Sequence, residues 1–151
     1  MVTGVTAQTN NSILEKYCYS NLESNCTTYG ALYRWDEAMQ YTTNEGTQGI
    51  CPIGSHIPTD AEWDTLANFL GSATAGTQLK SGGSSGLNIP HSGLRSSSGG
   101  YFLNLTLASY LWSSSESGSD VWYHSLFPAS TTLGRATNGK NAGFSVRCMK
   151  D

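Results

Sequence analysis

Residues 112–151 read WSSSESGSDVWYHSLFPASTTLGRATNGKNAGFSVRCMKD, and they set two kinds of position side by side. Trp112, Trp122, Leu126, Leu133, Phe144 and Val146 are large and apolar, the types that fill a core. Between them stand Ser, Thr, Gly, Ala, Asn and Pro, with few charges. In residues 143–148 (GFSVRC), Phe144, Val146 and Cys148 alternate with Ser145 and Arg147, the period of a half-buried strand. The pattern predicts a rigid frame that carries a chemically miscellaneous surface, with the upstream chain holding it in place.

Moving outward, residues 101–105, 109–113, 121–127 and 131–136 also read as short strands. The Gly- and Ser-rich stretch 71–100 looks like a linker, but Leu79, Leu87, Ile89 and Leu94 interrupt it regularly. It is expected to be an ordered loop crossing the core, since structureless loops of this length are uncommon. Before it, Thr59 and Glu62 form a capping-box pattern, Trp63, Leu66, Phe69 and Leu70 an apolar stripe, and Gly71 a natural C-cap. Residues 51–58 (CPIGSHIP) are a fixed irregular link. Leu32, Trp35 and Met39 mark one face of an earlier helix, with Asp36 and Glu37 on its solvated side. Residues 17–28 look like a looped hairpin, and residues 1–16 like a disordered arm. Two helices, long ordered loops and a late antiparallel sheet predict a single α+β domain over 17–151.

A chain of 151 residues suits one domain. A net charge of −3 with 13% charged residues leaves no electrostatic footprint for nucleic acid. No apolar run approaches the roughly 18 residues of a membrane span, and the polar residues 1–12 carry no signal-peptide pattern. Four Trp and eight Tyr among many small polar residues resemble the make-up of extracellular recognition surfaces.

Cys18, Cys26, Cys51 and Cys148 allow three pairings, with four reduced thiols as the alternative. No CxxC occurs, which weakens a zinc reading. Cys18 and Cys26 are near enough to close a local loop. That leaves Cys51 with Cys148, a long closure contributing about 4 kcal/mol through the unfolded state. Such bridges would place the chain in an oxidising compartment.

His56, His91 and His124 lack metal-ligand spacing. Ser113, Ser114 and Ser115 lack a nucleophile-elbow context, the glycine-rich turns lack a P-loop lysine, and no carboxylate pair stands out. Glu116, Asp120 and Asn138 offer at most an unforeseen oxygen site. The expectation is a chain with no enzymatic activity, no cofactor and no metal. N-x-[ST] sequons begin at Asn10, Asn25 and Asn104.

The segments YGALYRWDEAM (29–39), CPIGSHIPTDAEW (51–63), SGLRSSSGGYF (92–102), YLWSSSES (110–117) and GFSVRC (143–148) occur in that order. Together they resemble the Fibrobacter succinogenes major paralogous domain family over residues 17–151. The resemblance implies a C-type-lectin-like fold of the formylglycine-generating-enzyme branch, and many such members look like surface or secreted modules. The Glu-Pro-Asn and Trp-Asn-Asp patterns of calcium lectins are absent.

Family members tend to carry Asn at many positions of the region at about 110–148. Here those places hold Asp120, Ser125, Phe127, Ser130, Gly134, Ala136, Gly139 and Ala142, while His124, Pro128 and Ala129 also look atypical. Trp122, Tyr123, Leu126, Arg135, Lys140 and Gly143 keep the family's types. The pattern resembles the variable proteins of diversity-generating retroelements, which randomise template adenines. An AAC codon then becomes any codon ending in C, and every replacement named is reachable that way. The resemblance implies a diversified site built from these eleven residues. Its ligand would be a macromolecule, protein first and glycan second, bound by a monomer at the cell surface or outside the cell. An undiversified adhesive or structural surface domain, and a formylglycine-generating-type oxidase, are the alternatives.

Overall fold

The structure, a computed structural model, describes residues 8–151 together with the backbone of the two-residue strand β1 (Val2–Thr3). The capping box forms as read. Thr59 Oγ1 accepts from the Glu62 N–H at 3.1 Å, and Glu62 Oε2 accepts from the Thr59 N–H at 2.8 Å. The helix it starts, Asp60–Phe69, buries Trp63 and packs Leu66, Ala67 and Leu70 inward. Phe69, expected in the stripe, is 86% exposed. At 3.6 residues per turn, positions 63, 66, 67 and 70 share a face and 69 points away from it.

Among the described residues, four helices stand where two were expected. Helix α1 (Glu23–Tyr29), preceded by a 3-10 turn at Tyr19–Asn21, replaces the looped hairpin. Helix α2 is only Trp35–Ala38, because Gln40 and Tyr41 adopt left-handed backbone angles and turn the chain. The capped helix is α3, and α4 (Ala75–Leu79) lies inside the Gly/Ser-rich stretch. That stretch is ordered, as expected, with Leu79 and Ile89 buried, although Leu87 is exposed.

The main sheet comprises β4 (Ser92–Arg95), β5 (Phe102–Leu105), β6 (Ser109–Ser117), β7 (Asp120–Leu126) and β8 (Gly134–Asn138), in the order β5-β4-β6-β7-β8. It is mixed, not purely antiparallel, since β4 and β6 run parallel. Two small pairs complete the α+β fold. One joins β1 to β2 (Glu15–Lys16), and the other joins β3 (Ser55–His56) to β9 (Met149–Lys150).

The terminal segment departs from the strand reading. Gly143 bridges Arg95, Phe144 bridges Tyr33, and Ser145 lies parallel to Leu111. Each residue therefore pairs with a different part of the chain, and no single ladder extends to Cys148. Phe144 is buried, Val146 is half-buried and Cys148 is exposed.

Strand alternation divides the interior into two cores. Tyr110, Trp112, Val121 and Phe144 pack with Trp35, Met39 and Ile57 on one face of the sheet. Leu111 and Leu126 pack with Trp63, Leu79 and Ile89 on the other, under α3 and α4. Between Trp112 and Glu116 the β6–β7 register shifts, and the bulge holds the buried serines 113–115. The Ser113 carbonyl accepts from Trp35 Nε1 at 2.8 Å, and Ser114 Oγ from the Gly46 N–H at 2.9 Å. The Ser114 N–H donates to the Pro58 carbonyl at 2.9 Å, and Ser115 Oγ accepts from the Asp60 N–H at 2.8 Å. The serine run thus joins β6 to α2, to the loop before β3 and to the start of α3.

The described part of the expected arm is not free. Gln8 is 3% exposed, its N–H donates to the Tyr17 hydroxyl at 3.2 Å, and its Oε1 accepts from the Arg34 N–H at 2.8 Å. The Glu15 N–H donates to Glu37 Oε1 at 2.8 Å, and Glu37 is buried rather than solvated. This docking uses polar contacts, which hydropathy does not reveal. Residues 1 and 4–7 of the arm lie outside the described residues.

Both disulfides take the expected pairing. Cys18 joins Cys26 across 8 residues, and Cys51 joins Cys148 across 97. No helix among the described residues is long and apolar enough to cross a membrane.

Candidate functional site

Strands β7 and β8 carry five of the eleven predicted surface residues, and the turn 127–130 between them carries four more. Tyr123 pairs with Ala136 and Ser125 with Gly134, so these share one face, and Phe127 continues it two residues beyond Ser125. His124 pairs with Arg135 on the opposite face.

That opposite face is closed by α3, and His124 is a correction. It is 1% exposed, stacks on Trp63 with ring centroids 5.3 Å apart, and places Nε2 3.1 Å from Asp60 Oδ1. Burial is the stronger influence on its imidazole. It holds the pKa below the ordinary value against the pull of Asp60, so neutral His124 donates its Nε2–H to the carboxylate. Asp60 also accepts from Arg135 Nε at 2.9 Å and Nη2 at 2.6 Å, and Arg135 lies 3.5 Å over the Trp122 ring. Burial pushes the Asp60 carboxyl up, but the Arg135 bonds and charge outweigh it and hold the pKa below the usual value. Trp122, expected in the core, is half-buried beneath this guanidinium.

Two further residues are corrected by burial. Ser125 is 7% exposed and sits against Gly134, where an added Cβ would come within 2.4 Å of Ser125 Oγ. Ala142 is 1% exposed, inside the core that contains Phe144. Asp120 and Gly139 are half-buried at the other end of the β7–β8 pair, beside the Val121–Asn138 register point. Six residues separate Asp120 from Leu126, so about 20 Å lies between the two ends. The eleven residues do not form one compact patch.

What remains together is the turn 127–130 with the outer strand. Phe127, Pro128, Ala129 and Ala136 are exposed, and Ser130 and Gly134 half-exposed. Phe127 meets Tyr110 edge to face, with centroids 6.2 Å apart, so the rim grows directly out of the aromatic core. Lys80 holds the turn from outside the stretch. Its Nζ donates to the carbonyls of Phe127 at 3.0 Å, Pro128 at 3.0 Å and Ser130 at 2.7 Å. The Ser130 hydroxyl accepts from the Thr132 N–H at 3.2 Å and closes the turn locally. The side chains at 127–129 are left out of this bonding.

The residues predicted as frame do structural work. Besides Arg135, Lys140 pairs with Glu116 and lies 4.5 Å over the Trp35 ring. A Cβ on Gly143 would come within 2.9 Å of the Arg95 Cβ. Lys80, Tyr110 and Asp60 were not read as part of the site. They lie far away in sequence or in other elements, and no local spacing marks them.

The Fibrobacter succinogenes major domain family model matches residues 2–150, and the chain belongs to that family. No curated protein and no solved structure matches it.

Proposed function

We propose that this chain is a ligand-binding module that displays a diversified surface on a C-type-lectin-like frame, as a variable protein of a diversity-generating retroelement. The observation that carries the reading is the turn at 127–130. Lys80 grips it through main-chain carbonyls, which every residue type supplies, so side chains at 127–129 can change without loss of the anchor. An exposed Phe127 beside Pro128, Ala129 and Ala136 has the composition of a binding hot spot with a shallow surround. The ligand is a macromolecule, a protein before a glycan, bound by a monomer without metal or catalysis. Asp120 and Gly139 would reach only a ligand broad enough to cover the strand pair.

Two disulfides agree with a place outside the cell or at its surface. They also occupy the cysteines that an oxidase of the formylglycine-generating type would need reactive.

Deep sequencing of the segment encoding residues 112–148 across a cell population tests the proposal. Variation concentrated at the codons for 127–130, 134 and 136, with a nearby copy reading AAC or AAT there, supports it. Uniform, low variation across the segment would leave the adhesive surface domain as the function.

A further inference from the structure

The segment that leads to the end of the chain carries a second feature. Arg147 stands between two adjoining clefts, of about 420 Å³ and about 190 Å³, which also share Ile89 and Cys148. None of the eleven predicted surface residues lines either one. The smaller cleft is walled by Trp63, Leu66, Ile89, Pro58 and Met149, an apolar enclosure.

Arg147 borders this apolar space with little to bond. A guanidinium carries five N–H donors, yet among the described residues that of Arg147 makes one long contact, Nη2 to the Leu87 carbonyl at 3.4 Å. Among the described residues no carboxylate forms a salt bridge with it. Arg135, Lys16 and Lys140, by contrast, all have acidic partners. Arg147 is half-buried, and burial pushes its pKa below the ordinary value. Trp63, on the wall of the smaller cleft, is 3% exposed, and its buried Nε1–H finds no acceptor among the described residues.

Glu62 also lines the smaller cleft, but its oxygens are engaged. Oε2 accepts from the Thr59 N–H at 2.8 Å and the Thr59 hydroxyl at 3.0 Å, and Oε1 faces His56 Nε2 at 3.1 Å. Leu87 and Met149, at the margin, are 42% and 39% exposed.

An arginine with no acidic partner among the described residues, beside a small apolar chamber walled by an indole ring, is complementary to one ligand class. We infer that the cleft between α3, residues 87–89 and residues 147–149 binds a small organic carboxylate with an apolar body. The carboxylate pairs with Arg147, and the body lies against Leu66, Ile89 and Trp63. Bidentate pairing suits the planar guanidinium, and its strength gains from the partly dry setting. The site is separate from the diversified rim and would serve alike whatever side chains the rim carries.

The probe is 3-phenylpropionate, with its neutral amide as control, followed by calorimetry and by the Trp63 indole N–H resonance. The acid should bind and shift that resonance, and the amide should bind at least about tenfold more weakly. Arg147→Gln should remove binding by a similar factor while the melting temperature stays near the parent's, and Arg147→Lys should retain part of it. N-acetyl-Leu-Phe asks whether the acid comes free or as a peptide's carboxyl end. Tighter binding of the peptide assigns the second source, and tighter binding of the small acid the first. Equal binding of acid and amide, an unmoved Trp63 resonance, or unchanged affinity in both Arg147 variants would overturn the site.

Discussion

The serine run 113–115 lies in β6 and the turn 127–130 follows its partner strand β7, yet they are held in opposite ways. The serines are buried and tied by their own side chains and backbone to Trp35, Gly46, Pro58 and Asp60. The turn is exposed and tied mainly through carbonyls to one lysine. A bulge bonded by side chains specifies its sequence, whereas a turn bonded through its main chain specifies only its path. The contrast places tolerance to substitution at one end of β7 and intolerance along the aromatic core it crosses.

The largest effect should fall on the specified side. Trp112 is buried, packs 4.2 Å from the Phe144 ring and donates its Nε1–H to the Tyr33 carbonyl at 2.8 Å. Trp112→Ala should cost about 3–5 kcal/mol in denaturant unfolding. A loss no larger than that at an exposed turn position would erase the contrast.

Lys80 lies between the extremes. Lys80→Met keeps most of the aliphatic stem and removes three charge-assisted bonds, so it should cost about 1–3 kcal/mol. Amide exchange should accelerate at 127–132 more than in β6. An unchanged exchange pattern would show that the turn holds itself.

Acid–base behaviour sharpens the same division, because both histidines bound to acids belong to the specified side. His124 is held below its ordinary value of 6.5 mainly by burial, so the folded state takes up protons less readily than the unfolded chain. Its contribution to stability therefore grows as pH rises toward 6.5. His56 is held above 6.5, first by its bond to Asp151, so its contribution is full below 6.5 and is lost as pH rises through its raised value. Melting temperature should peak near pH 6.5, and His56→Gln should flatten the alkaline side. A parent profile that keeps climbing above neutrality would contradict this assignment.

The smallest effects should fall on the exposed positions. Pro128→Ala, Ala129→Ser and Ala136→Ser should each stay within about 0.5 kcal/mol of the parent. Ser125→Asn should exceed them, because Ser125 is buried against Gly134.

Legibility in the sequence followed the range of the physics. The capping box at Thr59, the strand pair around Trp122 and the disulfides were readable, because each rests on local spacing or on pairing arithmetic. Phe69 was misplaced by a helix face one residue too wide, and α4 was hidden among Gly and Ser residues. The junction at 143–145 kept the alternation of a strand but joins three separate segments, which no periodicity encodes. Within the site, the resemblance to variable proteins picked out Phe127, Pro128, Ala129 and Ala136, and all four are exposed. It misjudged His124, Ser125 and Ala142, because covering by α3, contact with Gly134 and insertion into the core are tertiary events. Lys80 was out of reach for the same reason, standing 47 residues from the carbonyl of Phe127 that it binds.

The most direct test compares two displayed libraries of the chain. One randomises Phe127, Pro128, Ala129 and Ala136, and the other randomises His124, Ser125 and Ala142. Each is scored for protease-resistant folding and then selected on a panel of unrelated proteins. The account predicts that most members of the first library fold and that binders emerge from it, whereas most members of the second fail to fold. Equal folding in both libraries, or binders arising from the second alone, would contradict it.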